Sequence, residues 1–514
     1  MEPLSKESDS LLELIDSYSL KANFKGEIGL EKECLRVFSQ HISKKNHMRS
    51  LGAPLCNSFI TTDFAEAQLE LITPPFSSNI DLSAFLDNLQ HYVAYNIDNE
   101  YLWPFSIPAR TKNSDEVTIA YYGKSNRAQY KRIYRNGLAE RYGKTMQTIS
   151  GIHFNYSFNR EFWNIFNLKD SEDRNNNIRT ETYFRALRNI QRNNWLLLYL
   201  FGASPIVGKD LINNNYKFIK ANDNEYYLPF ATSLRMSSMG YQNISQSNLF
   251  ISLDNINSYT NDLSVATQTP SKIFRKIDTS SKKKFAQLNS NILQNEDEYY
   301  AMSRPKSNNK SDQRQISKLN KYGVDYLELR SLDLNPYSRQ GIDQEDLLFV
   351  ELFILFCTLS SSPKISKEEF NEVAENSHIV SIEGRKEGIK LLRNGQEIPL
   401  KEWAIEIIHK MLEMSEMLGF QSFNISKYLE QIRFPETTLS GVLLETVIGD
   451  KMSFYELGDS IGTSNKSHYK EISKSNNPIW SNLESEAHRS IQEQEYLESK
   501  NEIPFKEYLN NFFV

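Results

Sequence analysis

The sequence predicts an α+β fold in which helices pack against an antiparallel sheet. Several short segments alternate strictly between apolar and polar residues, which is typical of strands with one face on a core and the other face open. Longer segments carry apolar residues at helical spacing. The strands and helices follow one another irregularly and without a βαβ repeat, which favours an α+β fold over a doubly wound parallel sheet.

Composition argues against several classes of protein. The chain has 514 residues, of which 39% are hydrophobic and 24% charged, as in ordinary globular proteins. A net charge of −6 argues against a nucleic-acid-binding surface, because phosphate neutralisation requires a basic patch. The three cysteines are too far apart in the sequence for a zinc site or a disulfide framework, which is typical of a reducing compartment.

Membrane and secretion signals are not recognised in the sequence. The N-terminal residues lack the basic start and apolar stretch of a secretory signal. The most apolar segment, residues 347–359, is interrupted by Glu351 and is too short to span a membrane, so we expect a buried helix there. We therefore expect a cytoplasmic protein with no membrane association.

The predicted strands carry most of the polar residues of interest. In residues 29–37, Glu31 and Glu33 share one face, because successive side chains of a strand point to opposite faces. The other strands are expected at residues 65–71, 152–158 and 326–330, with polar faces formed by Glu66, Gln68 and Glu70, by His153, Asn155 and Ser157, and by Glu328 and Arg330.

The predicted helices occupy much of the remaining chain. Helical spacing places them at residues 82–93, 179–201, 345–360 and 401–418. Residues 303–321 are polar and basic, and we expect them to form a mobile surface loop. We expect residues 1–514 to form a single catalytic unit, with a sheet core at about 24–336 and a mostly helical part at about 343–514.

The pair Glu31 and Glu33 has more than one interpretation. Two ionised carboxylates side by side repel each other. The pair is tolerated if both groups are solvated on an open strand face, if one is protonated, or if a cation lies between them. The pair alone favours the open strand face.

Further acids make a cation site more credible. Asp63 and Glu70 have opposite parity, so a turn or bulge near Phe64 is needed to bring both to one site. If their strands and those of His153 and Glu328 belong to one sheet, the carboxylates meet in one cavity, where so much charge requires cations. Carboxylates with one imidazole suit Mg²⁺ or Mn²⁺ better than zinc. Separate solvated faces, with His153 as a structural residue, remain the alternative.

Two arginines are candidate anion ligands. The guanidinium groups of Arg235 and Arg330 could bind a phosphate or a carboxylate bidentately, although each alone is better explained by a surface or structural ion pair. Neither common glycine cradle for a nucleotide is found. Gly143-Lys144-Thr145 lacks the glycine five residues before Gly143 that a phosphate loop requires, and no Gly-x-Gly-x-x-Gly run occurs.

Six segments, in this order along the chain, closely resemble glutamate–cysteine ligase of the proteobacterial type. The matching runs are Gly-Leu-Glu-Lys-Glu-Cys-Leu-Arg-Val (29–37), Thr-Thr-Asp-Phe-Ala-Glu-Ala-Gln-Leu-Glu-Leu-Ile-Thr-Pro (61–74), Arg-Tyr-Gly-Lys-Thr-Met-Gln-Thr-Ile-Ser-Gly-Ile-His-Phe-Asn (141–155), Leu-Phe-Gly-Ala-Ser-Pro (200–205), Tyr-Leu-Pro-Phe-Ala-Thr-Ser-Leu-Arg (227–235) and Leu-Glu-Leu-Arg-Ser-Leu-Asp-Leu-Asn-Pro (327–336).

The resemblance implies an enzyme of the first step of glutathione biosynthesis. It would join the γ-carboxylate of L-glutamate to the α-amine of L-cysteine with ATP, through a γ-glutamyl phosphate. The implied fold is related to glutamine synthetase, with a curved antiparallel sheet forming an active-site funnel and helices on its outer face. The implied cofactors are ATP and Mg²⁺, or Mn²⁺, and we expect a monomer.

The resemblance also implies roles for individual residues. The implied magnesium ligands are Glu31, Glu33, Asp63, Glu70, His153 and Glu328. Arg235 and Arg330 match catalytic arginines at the transferring phosphate or the glutamate carboxylates. The implied cysteine pocket consists of Phe64, Tyr134, Arg135, Gln147, Ile149 and Tyr241. The residues that contact the adenine are not implied, and only Arg304 or Lys306 is a candidate for approaching ATP.

Two other classes are weighed against the ligase. A Mg²⁺-dependent phosphotransferase on the same fold, such as a guanidino kinase, would release a phosphorylated substrate instead of a peptide. A non-catalytic nucleotide- or amino-acid-binding relative would be expected to have lost metal ligands, whereas every matched acid position is intact.

Overall fold

A computed structural model describes residues 24–164, 177–212, 215–240, 246, 249–280, 285–309, 313–420, 423–500 and 503–513. Within these residues an eight-stranded antiparallel sheet is covered on one face by helices. The predicted α+β fold is confirmed. No helix of the described chain has both the length and the apolarity that a membrane crossing needs.

The strands are mostly short, and β1 is the longest of them. Their bounds are β1 Glu27–Phe38, β2 His41–Ile42, β3 Ile60–Thr62, β4 Gln68–Ile72, β5 Tyr101–Leu102, β6 Ile152–Ser157, β7 Ile206–Gly208, β8 Ile219–Lys220, β9 Glu225–Tyr227, β10 Ser303–Lys306, β11 Tyr326–Leu332, β12 Lys390–Arg393 and β13 Gln396–Pro399.

The α-helices begin after the first hairpin of the sheet. Their bounds are α1 Asn79–Asn96, α2 Asn126–Tyr142, α3 Arg160–Asn164, α4 Asn177–Phe201, α5 Ile256–Gln268, α6 Arg275–Ser280, α7 Gln315–Tyr322, α8 Gln344–Leu359, α9 Lys367–Glu383, α10 Leu400–Met417, α11 Ile425–Arg433, α12 Leu439–Leu444, α13 Phe454–Glu471, α14 Trp480–Ser499 and α15 Phe505–Phe513.

The main sheet has the strand order β10-β11-β6-β1-β4-β3, with β2 and β5 paired to the far end of β1. The register sets Glu31 opposite His153 and Glu33 opposite Glu70. Because side chains alternate along each strand, these polar residues lie on the same open face. Because β1 pairs with β4 on one side and with β6 on the other, polar residues of all three strands lie at one site.

The other face of the sheet is apolar and buried. Leu30 and Cys34 of β1 join a large core cluster with apolar residues of α4 and α8, two helices that pack on each other. The predicted orientation of β1, with the glutamates on the opposite face from Cys34, is confirmed. Lys32 also lies on the buried face, where its ammonium donates to Gln90 at 2.6 Å.

Two local predictions are wrong. The strand expected at residues 65–71 begins only at Gln68, and the expected turn near Phe64 precedes it. Glu66 lies in that turn and accepts the backbone N–H groups of His47 and Tyr121 at 2.8 and 2.7 Å. Its carboxylate is therefore buried by local hydrogen bonds and does not belong to the open face.

The second error concerns a polar segment. Residues 303–321 were expected to be a mobile loop, yet they contain the edge strand β10 and most of helix α7. The proline at position 305 is tolerated because an edge strand need not donate from every residue. The C-terminal part is mostly helical, as expected, and also contains the hairpin β12–β13.

Candidate active site

A cavity of about 440 Å³ lies on the open face of the sheet. Strands β1, β4, β6, β10 and β11 contribute to its floor, and α2 contributes to one wall. Most of the predicted site residues line it, together with others. The lining residues are Glu31, Glu33, Asp63, Phe64, Glu70, Tyr130, Lys131, Tyr134, Arg135, Leu138, Met146, Gln147, Ile149, His153, Gly240, Asn295, Asp297, Glu298, Tyr300, Arg304, Lys306, Glu328 and Arg330.

His153 is the centre of the acidic cluster. Its Nδ1 lies 3.1 Å from Glu31 Oε2 and 3.5 Å from Glu328 Oε1, and its Nε2 lies 3.2 Å from Glu33 Oε1. These contacts join three neighbouring strands, because His153 is on β6, the first two glutamates are on β1 and Glu328 is on β11. The imidazole is 4% exposed, so the cluster is largely shielded from water.

A second group of acids lies on the side of β4. Glu70 is opposite Glu33 in the register, and Asp63 is in the turn between β3 and β4. The backbone N–H of Asp63 donates to the carbonyl of Gln68 at 3.0 Å, which closes the turn. This turn overcomes the opposite parity of Asp63 and Glu70, so both carboxylates reach the cavity.

The acids of the cavity have unlike pKa shifts. Burial, followed by repulsion from Glu31, Asp63 and Glu33, raises the pKa of Glu70 well above its usual value. Burial also raises the pKa of Glu33, although His153 partly offsets it. Burial acts in the same direction on Glu328, but Lys306 and Arg330 outweigh it and hold its pKa well below the usual range.

Cationic side chains lie beside these acids. Lys306 Nζ is 3.2 Å from Glu328 Oε2, and Arg330 Nη1 is 3.2 Å from Glu328 Oε1. Arg304 is 8% exposed and donates to the carbonyl oxygens of Asp297 and Tyr299. The edge strand β10 and strand β11 thus add positive charge to a floor that is otherwise acidic.

Arg235 does not line the cavity, although it was predicted to act there. Its side chain is fully buried and donates to the carbonyl oxygens of Arg330 and Leu332 at 2.9 and 3.3 Å. A Cβ atom on Gly151 would approach the Arg235 guanidinium to 2.3 Å, so a side chain at position 151 would displace that guanidinium. The same Gly151 donates its N–H to Glu33 Oε2 at 3.0 Å, which places Arg235 directly behind the floor of the cavity.

Five of the six residues matched to a cysteine pocket line the cavity. Phe64 and Ile149 supply apolar surface, and Tyr134, Arg135 and Gln147 supply polar groups. The sixth residue of this set, Tyr241, lies outside the described residues. The roles of all six residues stay predictions.

Sequence reasoning missed several lining residues. Tyr130 and Lys131 precede Tyr134 and Arg135 by one helical turn on α2, so they share a face with them. Helical spacing from Arg135 could have identified both. Asn295, Asp297, Glu298 and Tyr300 lie in an irregular segment whose position depends on tertiary contacts, and no sequence signal pointed to them.

The side chains fit a divalent cation. One ligand atom from each of Glu31, His153 and Glu328 lies within 4.8 Å of the other two. Within the described residues, His153 Nε2 and Glu328 Oε2 are buried but make no hydrogen bond of good geometry. Carboxylates with one imidazole are suitable ligands for Mg²⁺ or Mn²⁺.

The fold and the site together define a class of protein. It is an α+β protein whose antiparallel sheet presents a buried acidic cluster, with arginine and lysine beside it, to a cavity large enough for small polar ligands.

Comparison with known proteins identifies the family. The glutamate–cysteine ligase family model matches residues 11–380, and the chain belongs to this family. Glutamate–cysteine ligase of Aliivibrio fischeri is 37% identical over 505 residues, covering 94% of this chain and 95% of the relative. That of Shewanella halifaxensis is 35% identical over 526 residues, covering 100% of both chains.

A solved structure supports the same assignment. The crystal structure of glutamate–cysteine ligase from Francisella tularensis in complex with AMP matches with a TM-score of 0.88 at 31% identity. The match covers 96% of this chain and 98% of that chain. The similarity therefore extends over the whole fold.

Proposed function

We propose that this protein joins the γ-carboxylate of L-glutamate to the α-amine of L-cysteine, with conversion of ATP to ADP and phosphate. One observation supports the proposal above all: a protein of the glutamate–cysteine ligase family retains a clustered set of cavity acids around His153, with Arg330 and Lys306 beside them. An acidic floor alone would repel ATP and glutamate. Cations on that floor, together with the basic groups, make binding of both anions favourable.

The cation ligands of the proposal are the acids of the cavity and its histidine. We assign them as Glu31, Glu33, Asp63, Glu70, His153 and Glu328. Bound Mg²⁺, with Mn²⁺ as a substitute, would neutralise the phosphates of ATP and the charge that develops during transfer. The raised pKa of Glu70 supports the assignment, because like charges and burial disfavour its ionised form when no cation is present.

Phosphoryl transfer depends mainly on position and charge neutralisation. An oxygen of the glutamate γ-carboxylate attacks the γ-phosphorus of ATP, the bond between that phosphorus and the ADP oxygen breaks, and an acyl phosphate forms. Arg330 and Lys306 face the acidic cluster and are suited to hold the transferred phosphate. Arg235 holds the backbone of Arg330 from behind the floor, which we interpret as a positioning role.

The second step forms the peptide bond. The cysteine amine attacks the acyl carbon, the carbon–oxygen bond to phosphate breaks, and the amine loses a proton. We propose that the carboxylate of cysteine is held by Arg135 and that the thiol-bearing side chain lies against Phe64 and Ile149. Burial of these two apolar side chains favours a small apolar group over a charged one.

The function is tested by ADP release in the presence of Mg²⁺ and glutamate. We expect turnover with cysteine, turnover with 2-aminobutyrate, which lacks the thiol, and little without an acceptor amine. Mass spectrometry should detect γ-glutamylcysteine in an amount equal to the ADP released. Release of ADP with glutamate alone and without a peptide product would refute the proposal.

A further inference from the structure

Tyr122 is a fully buried tyrosine behind the wall of the cavity. It packs with Leu55, Ala120 and Ala128 in a small apolar cluster that is separate from the two larger ones. The side chain does not line the cavity. Any effect of Tyr122 on the reaction must therefore pass through its neighbours.

The hydroxyl of Tyr122 forms hydrogen bonds with the backbone of the turn that contains Asp63. It lies 2.7 Å from the carbonyl oxygen of Thr62 and 2.8 Å from that of Asp63, and donates to them. Arg135 Nε donates to the same Asp63 carbonyl at 2.5 Å. The direction of the Asp63 carboxylate therefore depends on a turn that is held by hydrogen bonds from two side chains, Tyr122 and Arg135.

The ring of Tyr122 supports two cations of the cavity wall. Lys131 Nζ lies 5.0 Å from the ring centroid, and Arg135 Cζ lies 4.8 Å from it. The two residues are four positions apart on α2, so they share one helix face and repel each other. An aromatic face attracts both cations and offsets that repulsion.

We propose that Tyr122 is a positioning residue with two separable tasks. Its hydroxyl aims the Asp63 carboxylate at a divalent cation, and its ring holds Lys131 and Arg135 towards the carboxylate of the amine substrate. The second task rests on the proposed function, because it assumes that an amino acid is the acceptor.

Two substitutions separate the tasks. Tyr122→Phe removes only the hydroxyl, so the Mg²⁺ concentration for half-maximal activity should rise roughly two- to tenfold, as for one lost hydrogen bond. The KM for cysteine should stay within about twofold. Tyr122→Leu also removes the aromatic face, so the KM for cysteine should rise roughly two- to thirtyfold while the KM for glutamate changes less.

A measurement without turnover accompanies the kinetics. Mn²⁺ binding to the free protein is followed by the electron paramagnetic resonance signal of unbound Mn²⁺. Tyr122→Phe should weaken this binding by the same factor as it raises the Mg²⁺ requirement. Tyr121→Phe is the matched control, because the same atom is removed from the adjacent tyrosine, which is 45% exposed. It should leave both quantities unchanged.

The outcomes are distinguishable. If Tyr122→Phe matches Tyr121→Phe in Mg²⁺ requirement and Mn²⁺ affinity, the role of the hydroxyl is refuted. If Tyr122→Leu raises the KM values of glutamate and cysteine equally, the role of the ring is refuted. If the wild type binds Mn²⁺ but makes no γ-glutamylcysteine, the proposed function fails, while the Mn²⁺ comparison still tests the hydroxyl. Circular dichroism establishes folding. Tyr122→Phe tests the hydroxyl, and Tyr122→Met, which also lacks the aromatic face, tests the ring if Tyr122→Leu does not fold.

Discussion

Glu31 and Glu33 are two residues apart on one strand face, yet their environments differ. Glu33 has a side-chain exposure of 3%, and burial raises its pKa. Glu31 is 19% exposed; burial raises its pKa too, but the hydrogen bond with His153 and the attraction of nearby cations outweigh this, so its pKa is lowered. The spacing predicts the shared face, but the lowered pKa of Glu31 depends on His153 of β6 and Lys306 of β10.

The residue-scale prediction concerns Glu33→Gln. The amide can still accept the Gly151 N–H, so the fold should be retained. It removes one negative charge from the proposed cation site, so we expect turnover to fall roughly a hundredfold or more. ADP release at saturating substrates measures the loss, and thermal unfolding monitors the fold.

A matched control is available on the same strand. Glu27→Gln makes the same chemical change at the exposed beginning of β1, and activity should stay close to that of the wild type. Near-normal turnover of Glu33→Gln would remove Glu33 from the proposed set of cation ligands.

At the scale of the element, Glu351 is a buried carboxyl group in the middle of the apolar helix α8. It is 1% exposed and accepts the backbone N–H of Gly26 at 2.7 Å. Burial raises its pKa to about 7, although the Gly26 hydrogen bond and Lys25 act in the opposite direction. The helix thus contains one carboxyl group that prefers the protonated form.

This shift makes stability depend on pH. The unfolded chain loses the Glu351 proton near pH 4.5 and the folded chain near pH 7, so the folded state binds more protons between these values. The free energy of unfolding should therefore fall as pH rises through this window, by on the order of 3 kcal/mol. Glu351→Gln keeps an acceptor for Gly26 and should be more stable than the wild type at pH 8, but not at pH 4.5.

Urea unfolding of both proteins at pH 4.5, 6 and 8 measures the effect. Glu345→Gln serves as the control, because that side chain lies on the same helix and is 60% exposed. A stability difference between wild type and Glu351→Gln that does not change with pH would contradict the expectation.

The wrong prediction for residues 303–321 is also explained at the level of the secondary-structure element. β10 has only four residues, and its alternation is hidden because Arg304 and Lys306 are charged residues that face the cavity acids. Because the segment is polar and basic, the sequence predicted that these residues are exposed to solvent. Their burial is compensated by Glu328 and by backbone carbonyl groups, which lie on other elements.

At the scale of the whole molecule, the helix α15 packs against α2, which contributes to one wall of the cavity. Phe512 packs on Tyr130 of α2 with ring centroids 4.6 Å apart, and Asn126 donates to the carbonyl of Ile503 at 2.9 Å. Tyr130 also accepts from Asn295 at 2.9 Å, and both line the cavity. The packing of α15 on α2 is therefore connected, through Tyr130, to residues that line the cavity.

We expect Phe512→Ala to lower the free energy of unfolding by about 1–3 kcal/mol, because a half-buried aromatic contact is lost. The KM for cysteine should rise, since α2 carries the side chains proposed for the cysteine subsite. Thermal unfolding and initial rates at varied cysteine concentration measure both effects. Phe38→Ala is the control, because that phenylalanine is 53% exposed. Equal effects of the two substitutions would contradict a role for α15.

Much of this architecture could be predicted from the sequence. The alternation in β1, β6 and β11 correctly predicts which side chains face the core, and helical spacing correctly predicts α1, α4, α8 and α10. The turn near Phe64 follows from the parity of Asp63 and Glu70 alone. Periodicity succeeds at these positions because one face of each element is buried in a large apolar core.

By itself the sequence determined the α+β class, the family and which face of β1 carries the acids, because alternation and motif order are local properties of the chain. Only the tertiary structure decided that His153 lies among Glu31, Glu33 and Glu328, that Arg235 lies behind the cavity, and that β10 adds charge to its floor. The physical reason is that pairing register and burial depend on strands distant in sequence, and these set the distances between charges.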